Sequence, residues 1–160
     1  MNAVDTPLSL SEALSATYTQ FVFERFSEQA RRVLFFARVE VSRWGSPRIE
    51  PEHLLLGLIR EGKGTAYDLL FEDLHLDWRR MVQDIESQME KKPGFAQSLE
   101  IPFSTSTKEV LTATVEEAER LQHNDIGIEH LLLGILRIDS IAASVLTEHG
   151  VTLELARQKL

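Results

Sequence analysis

The residues best suited to chemistry in this chain are two glutamate–histidine pairs, Glu52-His53 and Glu129-His130. A carboxylate beside an imidazole could act in general acid–base catalysis or bind a metal ion. Neither pair has the His-Glu-x-x-His spacing that sets two imidazoles on one face of a helix, and a histidine at a helix start commonly finds a backbone partner. The sequence therefore predicts structural histidines, with no metal and no cofactor.

Other catalytic patterns are also weak. The chain has no cysteine and no Gly-x-Ser-x-Gly turn, so it lacks the usual signatures of a nucleophilic hydrolase. Residues 57–64 nearly match a phosphate-binding loop, but Gly64 stands where that loop needs serine or threonine. We expect a protein that is not an enzyme. A hydrolase that uses the two glutamate–histidine pairs is the alternative, and loss of its activity on chelation would support it.

The overall charge argues against nucleic acid as a partner. The 160 residues carry a formal net charge of −8 with a pI near 5.1, and lysine and arginine form no separate cluster. The absence of cysteine fits a reducing compartment, and no apolar run approaches the roughly 18 residues of a membrane-spanning helix. We therefore predict a globular, cytoplasmic protein that binds neither nucleic acid nor a membrane.

An internal repeat organises the chain. The hexapeptide Glu-His-Leu-Leu-Leu-Gly occurs at 52–57 and again at 129–134, a shift of 77 positions. With that shift, residues 26–60 and 103–137 share 14 identities in 35 positions without a gap, which is typical of a duplicated structural unit. The two copies are expected to pack as pseudo-twofold partners around one core, because a single unit of this length would be marginal alone.

Each copy has the hydrophobic period of helices. Four helices are predicted in the first copy, beginning near residues 27, 51, 65 and 77. The first of them presents Ala30, Val33 and Ala37 on one face. Gly57 lies inside the second, and Gly134 has the same place in the other copy. Since glycine costs about 1 kcal/mol of helix propensity, a neighbouring helix is expected to approach closely there.

The prolines and glycine of residues 91–102 predict a linker between repeat one (26–90) and repeat two (103–160). The sequence as a whole predicts an all-α domain over residues 24–160, made of two tandem four-helix repeats.

Residues 1–23 precede the repeat and form a predicted N-terminal extension. Leu10 and Leu14 could share a helical face, and Ser9 with Glu12 fits a capping box. The extension is predicted either as a short accessory helix or as a disordered leader, because segments at chain ends are often loose.

The doubled pattern resembles the Clp N-terminal (Clp R) domain family, and among its members most closely the ClpC type. The first copy reads Phe-Ser-Glu-Gln-Ala-Arg-Arg-Val-Leu at 26–34 and Glu-Pro-Glu-His-Leu-Leu-Leu-Gly at 50–57. The second reads Phe-Ser-Thr-Ser-Thr-Lys-Glu-Val-Leu at 103–111 and Gly-Ile-Glu-His-Leu-Leu-Leu-Gly at 127–134. The resemblance spans residues 26–160, although serine replaces the family's common threonine at the start of each copy.

This resemblance implies a non-catalytic module of a hexameric ATP-driven unfoldase, which recruits protein substrates or adaptor proteins for an associated protease. With no ATPase domain in its sequence, the chain is expected to be either a fragment of such a machine or a free-standing relative. The alternative function is a free-standing regulator that docks on a Clp ATPase or peptidase ring without reading a degradation mark.

The resemblance also implies a ligand. Some ClpC-type domains bind phosphorylated arginine, and the positions indicated here are Ser27 with Glu52, and Ser104 with Glu129. Backbone N–H groups at a helix start and a serine hydroxyl suit a phosphate, while a nearby carboxylate would pair with the guanidinium. Under the simpler interpretation the serines only cap helices and the glutamates only favour a first helical turn.

The first copy carries extra aromatic side chains that the second copy lacks. Phe35, Phe36 and Trp44 correspond to smaller residues in the second copy. The helical period places Phe36 nearer the core than Phe35. These side chains predict a docking patch for a partner protein, with simple packing as the alternative.

Overall fold

The computed structural model describes residues 22–93 and 101–160. Residues 1–21, and with them the predicted accessory helix, lie outside this part of the chain. Residues 22–24 form a helical turn. The predicted linker at 91–102 is described only at its two ends.

The two repeats contain eight α-helices, four in each, and these helices confirm the predicted all-α fold. Repeat one contains α1 (Glu28–Trp44), α2 (Pro51–Glu61), α3 (Thr65–Asp68), which continues into a π-helical turn (Leu69–Asp73), and α4 (Trp78–Glu86). Repeat two contains α5 (Thr105–Arg120), α6 (Ile128–Arg137), α7 (Ile141–Glu148) and α8 (Leu153–Lys159).

The start and end of α1 follow from its flanking residues. The Ser27 hydroxyl oxygen accepts a hydrogen bond from the Ala30 N–H at 3.1 Å, which satisfies one of the free donors of the first turn. The helix ends at Gly45, whose φ of +65° lies in the left-handed region that glycine adopts without steric cost. Between these ends Ala30, Val33 and Ala37 are buried, as the hydrophobic period predicts.

Helices α1 and α2 pack closely as an antiparallel pair. Arg32 in the first turns of α1 pairs with Glu61 at the end of α2 at 2.9 Å. A methyl group added at Gly57 would lie 2.5 Å from the Val33 carbonyl oxygen and 3.0 Å from the Ala37 nitrogen. The expected close approach is therefore present, and glycine is required by the neighbouring backbone rather than by its own φ.

Repeat two is built in the same way. At Gly134 an added methyl would lie 2.7 Å from the Val110 carbonyl oxygen of α5. The last helices also correspond, because Asp77 caps α4 and Thr152 caps α8 through their side-chain oxygens.

The two repeats share one core. A single cluster of buried apolar side chains runs through both of them. Its largest fully buried members include Ile49, Leu54, Leu55, Leu58, Leu70, Met81 and Ile85 from repeat one, and Leu111, Ile126, Ile128 and Leu131 from repeat two. Since burying one such side chain contributes about 1.5–3 kcal/mol, the shared core supplies the main stabilising term for both halves.

Two parallel backbone bridges fasten the repeats together, Phe26 to Ile126 and Ile49 to Phe103. Each joins the segment before the first helix of one repeat to the segment before the second helix of the other. A polar contact between His149 Nε2 and Asp84 Oδ2 at 2.7 Å adds a further link, from the residue after α7 to α4.

No single helix within residues 22–93 and 101–160 has the length and apolar character to cross a membrane. Taken together, α6 and α7 have the length and composition of a membrane span, but the two helices are bent by 96° relative to each other.

Candidate functional site

All four residues predicted to bind phosphoarginine lie at helix starts. Ser27 caps α1 and Ser104 caps α5. Glu52 and Glu129 are the second residues of α2 and α6. Their side chains therefore lie where free backbone N–H groups and the positive end of a helix dipole favour negative charge.

The predicted pairing of these residues within one copy is wrong. Helix α1 has 17 residues, so its two ends are about 25 Å apart. Because α1 and α2 are antiparallel, Ser27 lies at one end of this pair of helices and Glu52 at the other. The same geometry separates Ser104 from Glu129, because α5 has 16 residues and packs against α6.

The structure instead pairs the helix starts across the two repeats. In what we call the first junction, the Ser27 N–H donates to the Ile126 carbonyl at 2.9 Å, and the Ile126 N–H donates to the Arg25 carbonyl at 2.8 Å. Glu129 follows Ile126 by three positions. The start of α1, with its serine, thus lies beside the start of α6, with its glutamate.

A third helix start completes the first junction. The Thr65 hydroxyl, at the first position of α3, donates to Glu129 Oε2 at 2.6 Å. Gly64, just before it, lies against Gln29 of α1 and Ile128 of α6. A helix start near residue 65 is predicted from the sequence, but the contact of Thr65 with Glu129 is not, since no local pattern links positions 64 residues apart.

The second junction is the pseudo-symmetric counterpart. The Ser104 N–H donates to the Ile49 carbonyl at 3.0 Å, and the Ile49 N–H donates to the Pro102 carbonyl at 2.9 Å. Glu52 follows Ile49 by three positions. Ser104 is buried, and its hydroxyl oxygen accepts from the Thr107 N–H at 3.1 Å.

Glu52 differs from Glu129 in its surroundings. It lines a cavity of about 310 Å³ together with Trp44, His53 and Ile141. Ile141 is the first residue of α7, the helix that corresponds to α3. It has no hydroxyl group, whereas the first junction has that of Thr65 at the equivalent position.

Burial raises the pKa of the Glu52 carboxyl, while a hydrogen bond from its own backbone N–H lowers it and the charge of Glu50 raises it further. The carboxylate is therefore less solvated than one on an open surface.

The two histidines serve the backbone, as the sequence predicts. His53 Nδ1 accepts from the Glu50 N–H at 2.8 Å, and His130 Nδ1 accepts from the Gly127 N–H at 2.9 Å. In repeat two the other ring nitrogen, His130 Nε2, lies 2.9 Å from His123 Nδ1. In the part of the chain that the structure describes, His53 Nε2 is buried without a hydrogen-bond partner.

The described residues contain no group of three or more histidine, aspartate or glutamate side chains placed to hold a metal ion.

The aromatic residues of α1 differ in exposure. Phe35 is 62% exposed, Phe36 is half-buried, and the ring of one stacks edge-on against the ring of the other at 5.6 Å. Trp44 is half-buried, with its indole nitrogen covered. Phe35 also lines an apolar cavity of about 440 Å³ with Phe23, Leu34 and Phe103. The exposed part of the predicted patch is therefore centred on Phe35.

The fold and its junctions define a duplicated four-helix domain whose repeats are joined crosswise at their helix starts. A family model described as the Clp repeat (R) N-terminal domain matches residues 25–149. The chain is 39% identical over 140 residues to the negative regulator of genetic competence ClpC/MecB of Bacillus subtilis, a match that covers 87% of this chain and 17% of that protein. The chain belongs to the Clp repeat (R) N-terminal domain family.

Solved structures agree with this assignment. The N-terminal domain of the chaperone ClpD from Arabidopsis thaliana is 28% identical, with a TM-score of 0.67 over 86% of this chain and 93% of that domain. A ClpV N-domain in complex with a VipB peptide has the same fold, with a TM-score of 0.69 at 17% identity over 96% of this chain and 90% of that one. This chain spans less than a fifth of the length of its curated relatives, which are Clp chaperones and ATP-binding subunits.

Proposed function

We propose that this domain is a non-catalytic recognition module of a Clp-type ATPase, which recruits marked proteins by binding phosphoarginine at its two junctions. The observation that carries the proposal is the crossed arrangement of helix starts. Ser27 and Glu129 lie on adjoining helix starts in the first junction, and Ser104 and Glu52 lie on adjoining helix starts in the second.

The chemistry of each junction suits a ligand that carries both charges. A phosphate would accept hydrogen bonds from the first-turn N–H groups of α1 or α5 and from the serine hydroxyl. In the second junction the Ser104 hydroxyl would have to turn away from Thr107 Oγ1, to which it donates at 3.1 Å. The guanidinium of the same side chain would donate to Glu129 or Glu52, and a charge-assisted hydrogen bond of this kind is about twice as strong as a neutral one. Capping alone explains each residue, but it does not explain why a glutamate lies beside a capping serine in both junctions.

A calorimetric titration with free phosphoarginine tests this function, with arginine plus phosphate as the control ligand. We expect two saturable sites in the wild-type chain, one in Glu52→Gln or Glu129→Gln, and none in the double variant. Glutamine keeps the size of the side chain, so folding is expected to be preserved and can be checked by circular dichroism. A folded wild-type chain that takes up no phosphoarginine would rule out the proposed ligand.

A second experiment tests the crossed pairing. Replacing a capping serine by glycine costs only a few tenths of a kcal/mol, so Ser27→Gly weakens the phosphate half of one site without unfolding α1. Ser27→Gly combined with Glu129→Gln should leave one intact site, in the second junction. Ser27→Gly combined with Glu52→Gln should impair both. The reverse pattern would place each site within a single repeat.

A second candidate function is docking on a Clp ring or an adaptor without reading a mark. The exposed Phe35 and the apolar cavity beside it favour this candidate, and a ClpV N-domain has been solved with a VipB peptide bound. We expect Phe35→Ser to abolish co-purification with such a partner while leaving phosphoarginine binding unchanged. The cytoplasmic location stays a prediction, and fractionation of cells that express the native protein would test it.

A further inference from the structure

A cleft in repeat one has a filled counterpart in repeat two. The cleft has a volume of about 470 Å³ and is bordered by all four helices of repeat one. Six of its lining residues matter for its chemistry: Glu40, Arg43, Arg60, Tyr67, Trp78 and Val82. They lie outside both junctions, and Arg60 also lies over the ring of Phe36, 5.7 Å from its centroid.

In repeat two, three arginines bind the carboxylate of Glu117, the counterpart of Glu40. The Glu117 carboxylate is buried, and Arg157 of α8 binds both of its oxygens, Nε at 3.0 Å and an Nη at 2.8 Å. Arg120 and Arg137 each donate to one oxygen, at 3.2 and 3.3 Å. Each carboxylate oxygen of Glu117 thus accepts hydrogen bonds from two arginines.

Repeat one lacks the third arginine. Glu40 is also buried, but its Oε1 accepts only from Arg60 at 3.0 Å and its Oε2 only from Arg43 at 3.4 Å among the described residues. The matching caps of α4 and α8 place Val82 at the position of Arg157. Valine cannot donate a hydrogen bond, so the cleft lies where the Arg157 side chain lies in repeat two.

The charge balance points to the same missing group. In repeat two, three arginines surround two carboxylates, those of Glu117 and Glu116. In repeat one, two arginines surround two carboxylates, those of Glu40 and Glu86. One additional guanidinium would give repeat one the balance that repeat two has from its own sequence.

Aromatic side chains wall the cleft only in repeat one. Tyr67 and Trp78 correspond to Ala143 and Leu153 in the other repeat. Trp78 is 40% exposed, and the chain's own Arg79 lies over its ring, 4.7 Å from the centroid. A planar guanidinium stacks on such a ring more readily than an ammonium does, because it is delocalised and weakly hydrated.

We propose that this cleft binds the guanidinium of an unmodified arginine side chain from a partner protein, which pairs with Glu40 in the place that Arg157 takes beside Glu117. The aromatic walls select arginine over lysine, and the two free lone pairs of the Glu40 carboxylate accept the two parallel donors of the guanidinium. The cleft is a third recognition site, independent of phosphoarginine binding at the junctions.

The probe is N-acetyl-arginine amide, titrated calorimetrically into the Glu52→Gln/Glu129→Gln chain so that the junction carboxylates do not contribute. We expect one saturable site with a Kd on the order of 1 mM, typical of a single side chain in an open cleft. N-acetyl-lysine amide should bind at least about fivefold more weakly. No saturation by the arginine probe, or equal binding of the two probes, would overturn the proposal.

Val82→Arg and Val82→Met identify the site. Val82 is half-buried, so both variants should fold. In Val82→Arg the chain itself supplies the missing guanidinium. We therefore expect loss of probe binding and a Tm about 2–4 °C higher. Val82→Met fills similar space without charge and should weaken probe binding without raising the Tm. A Val82→Arg chain that binds the probe as tightly as its parent would place the arginine site elsewhere.

Discussion

At the scale of single residues, the clearest contrast lies between two histidines that occupy equivalent positions. Both accept a backbone hydrogen bond at Nδ1, so both carry their proton at Nε2 when neutral. His130 can donate that proton to His123, whereas Ser46 stands at the corresponding position in repeat one and bonds instead within its own turn, to the Arg48 carbonyl. An unsatisfied buried donor costs about 1–3 kcal/mol, so His53 stabilises the fold less than its counterpart does.

His53 gives stability a defined dependence on pH. Burial lowers the pKa of its imidazole to about 4, from an ordinary value of 6.5. Between these values the unfolded chain binds a proton that the folded chain does not. The contribution of His53 is therefore complete above pH 6.5 and declines as the pH falls towards 4. In His53→Gln the amide oxygen can still accept from the Glu50 N–H, but it does not titrate.

We expect the free energy of unfolding to drop by about 2 kcal/mol less in His53→Gln than in the wild type between pH 7 and pH 5. Urea titrations at several pH values measure this difference. Burial also lowers the pKa of His130, and hydrogen bonding from Arg157 lowers that of Glu117, but these groups act equally in both proteins and cancel in the comparison. Parallel stability curves for the two proteins would show that His53 does not titrate differently on folding.

At the scale of helices and turns, the repeats differ in where they use glycine. The left-handed residue after α1 is Gly45, with a φ of +65°, and its counterpart after α5 is Gln122, with a φ of +57°. The left-handed residue before the last helix is His75 in repeat one and Gly150 in repeat two. These two turns thus keep their backbone shape in both repeats, and each repeat accepts one strained non-glycine residue.

Substitution of Gly57 by alanine tests how closely α1 packs against α2. At an exposed position in a helix, replacing glycine by alanine would stabilise the protein by about 1 kcal/mol. Here its methyl group would lie 2.5 Å from a backbone oxygen of α1, which cannot rotate away. We expect Gly57→Ala to lower the free energy of unfolding by about 1–3 kcal/mol, because the two helices must move apart. Chemical denaturation provides the measurement.

Gly150→Ala is the matched control for this substitution. It places alanine at a φ of +83° with no atom within 4 Å, so it reports backbone strain without a steric clash. We expect it to be destabilising by about 1 kcal/mol. If Gly57→Ala instead stabilised the protein, the close contact between α1 and α2 would be wrong.

At the scale of the whole molecule, the crosswise bridges predict that the repeats unfold together. Both tryptophans, Trp44 and Trp78, belong to repeat one, so fluorescence reports on that half alone. Leu132 is fully buried in repeat two, and its replacement by alanine should cost about 2–5 kcal/mol. We expect Leu132→Ala to shift the urea midpoint seen by fluorescence as far as the midpoint seen by circular dichroism.

Leu54→Ala serves as the control, since Leu54 is equally buried but lies in repeat one. It should shift both signals in the same way. A Leu132→Ala chain with an unchanged fluorescence midpoint would mean that repeat one folds independently, against the shared core.

Local patterns in the sequence were enough for the helices and their ends. Ser27 and Ser104 are caps, Pro51 opens a helix and Gly57 packs against a neighbour, because each of these roles depends on residues within a few positions or on the period of 3.6. The length of α1 also excluded a contact between Ser27 and Glu52, so that part of the pairing was within reach of simple helix geometry.

Only the tertiary structure decided which helix starts meet. The crosswise bridges, the contact of Thr65 with Glu129, and the cleft beside Glu40 all depend on how two similar helical repeats dock. Two hydrophobic faces can be buried in more than one orientation, and helical periodicity describes a face without naming its partner. The sequence by itself therefore determined the elements and the duplicated fold, whereas the docking of the repeats determined the candidate sites.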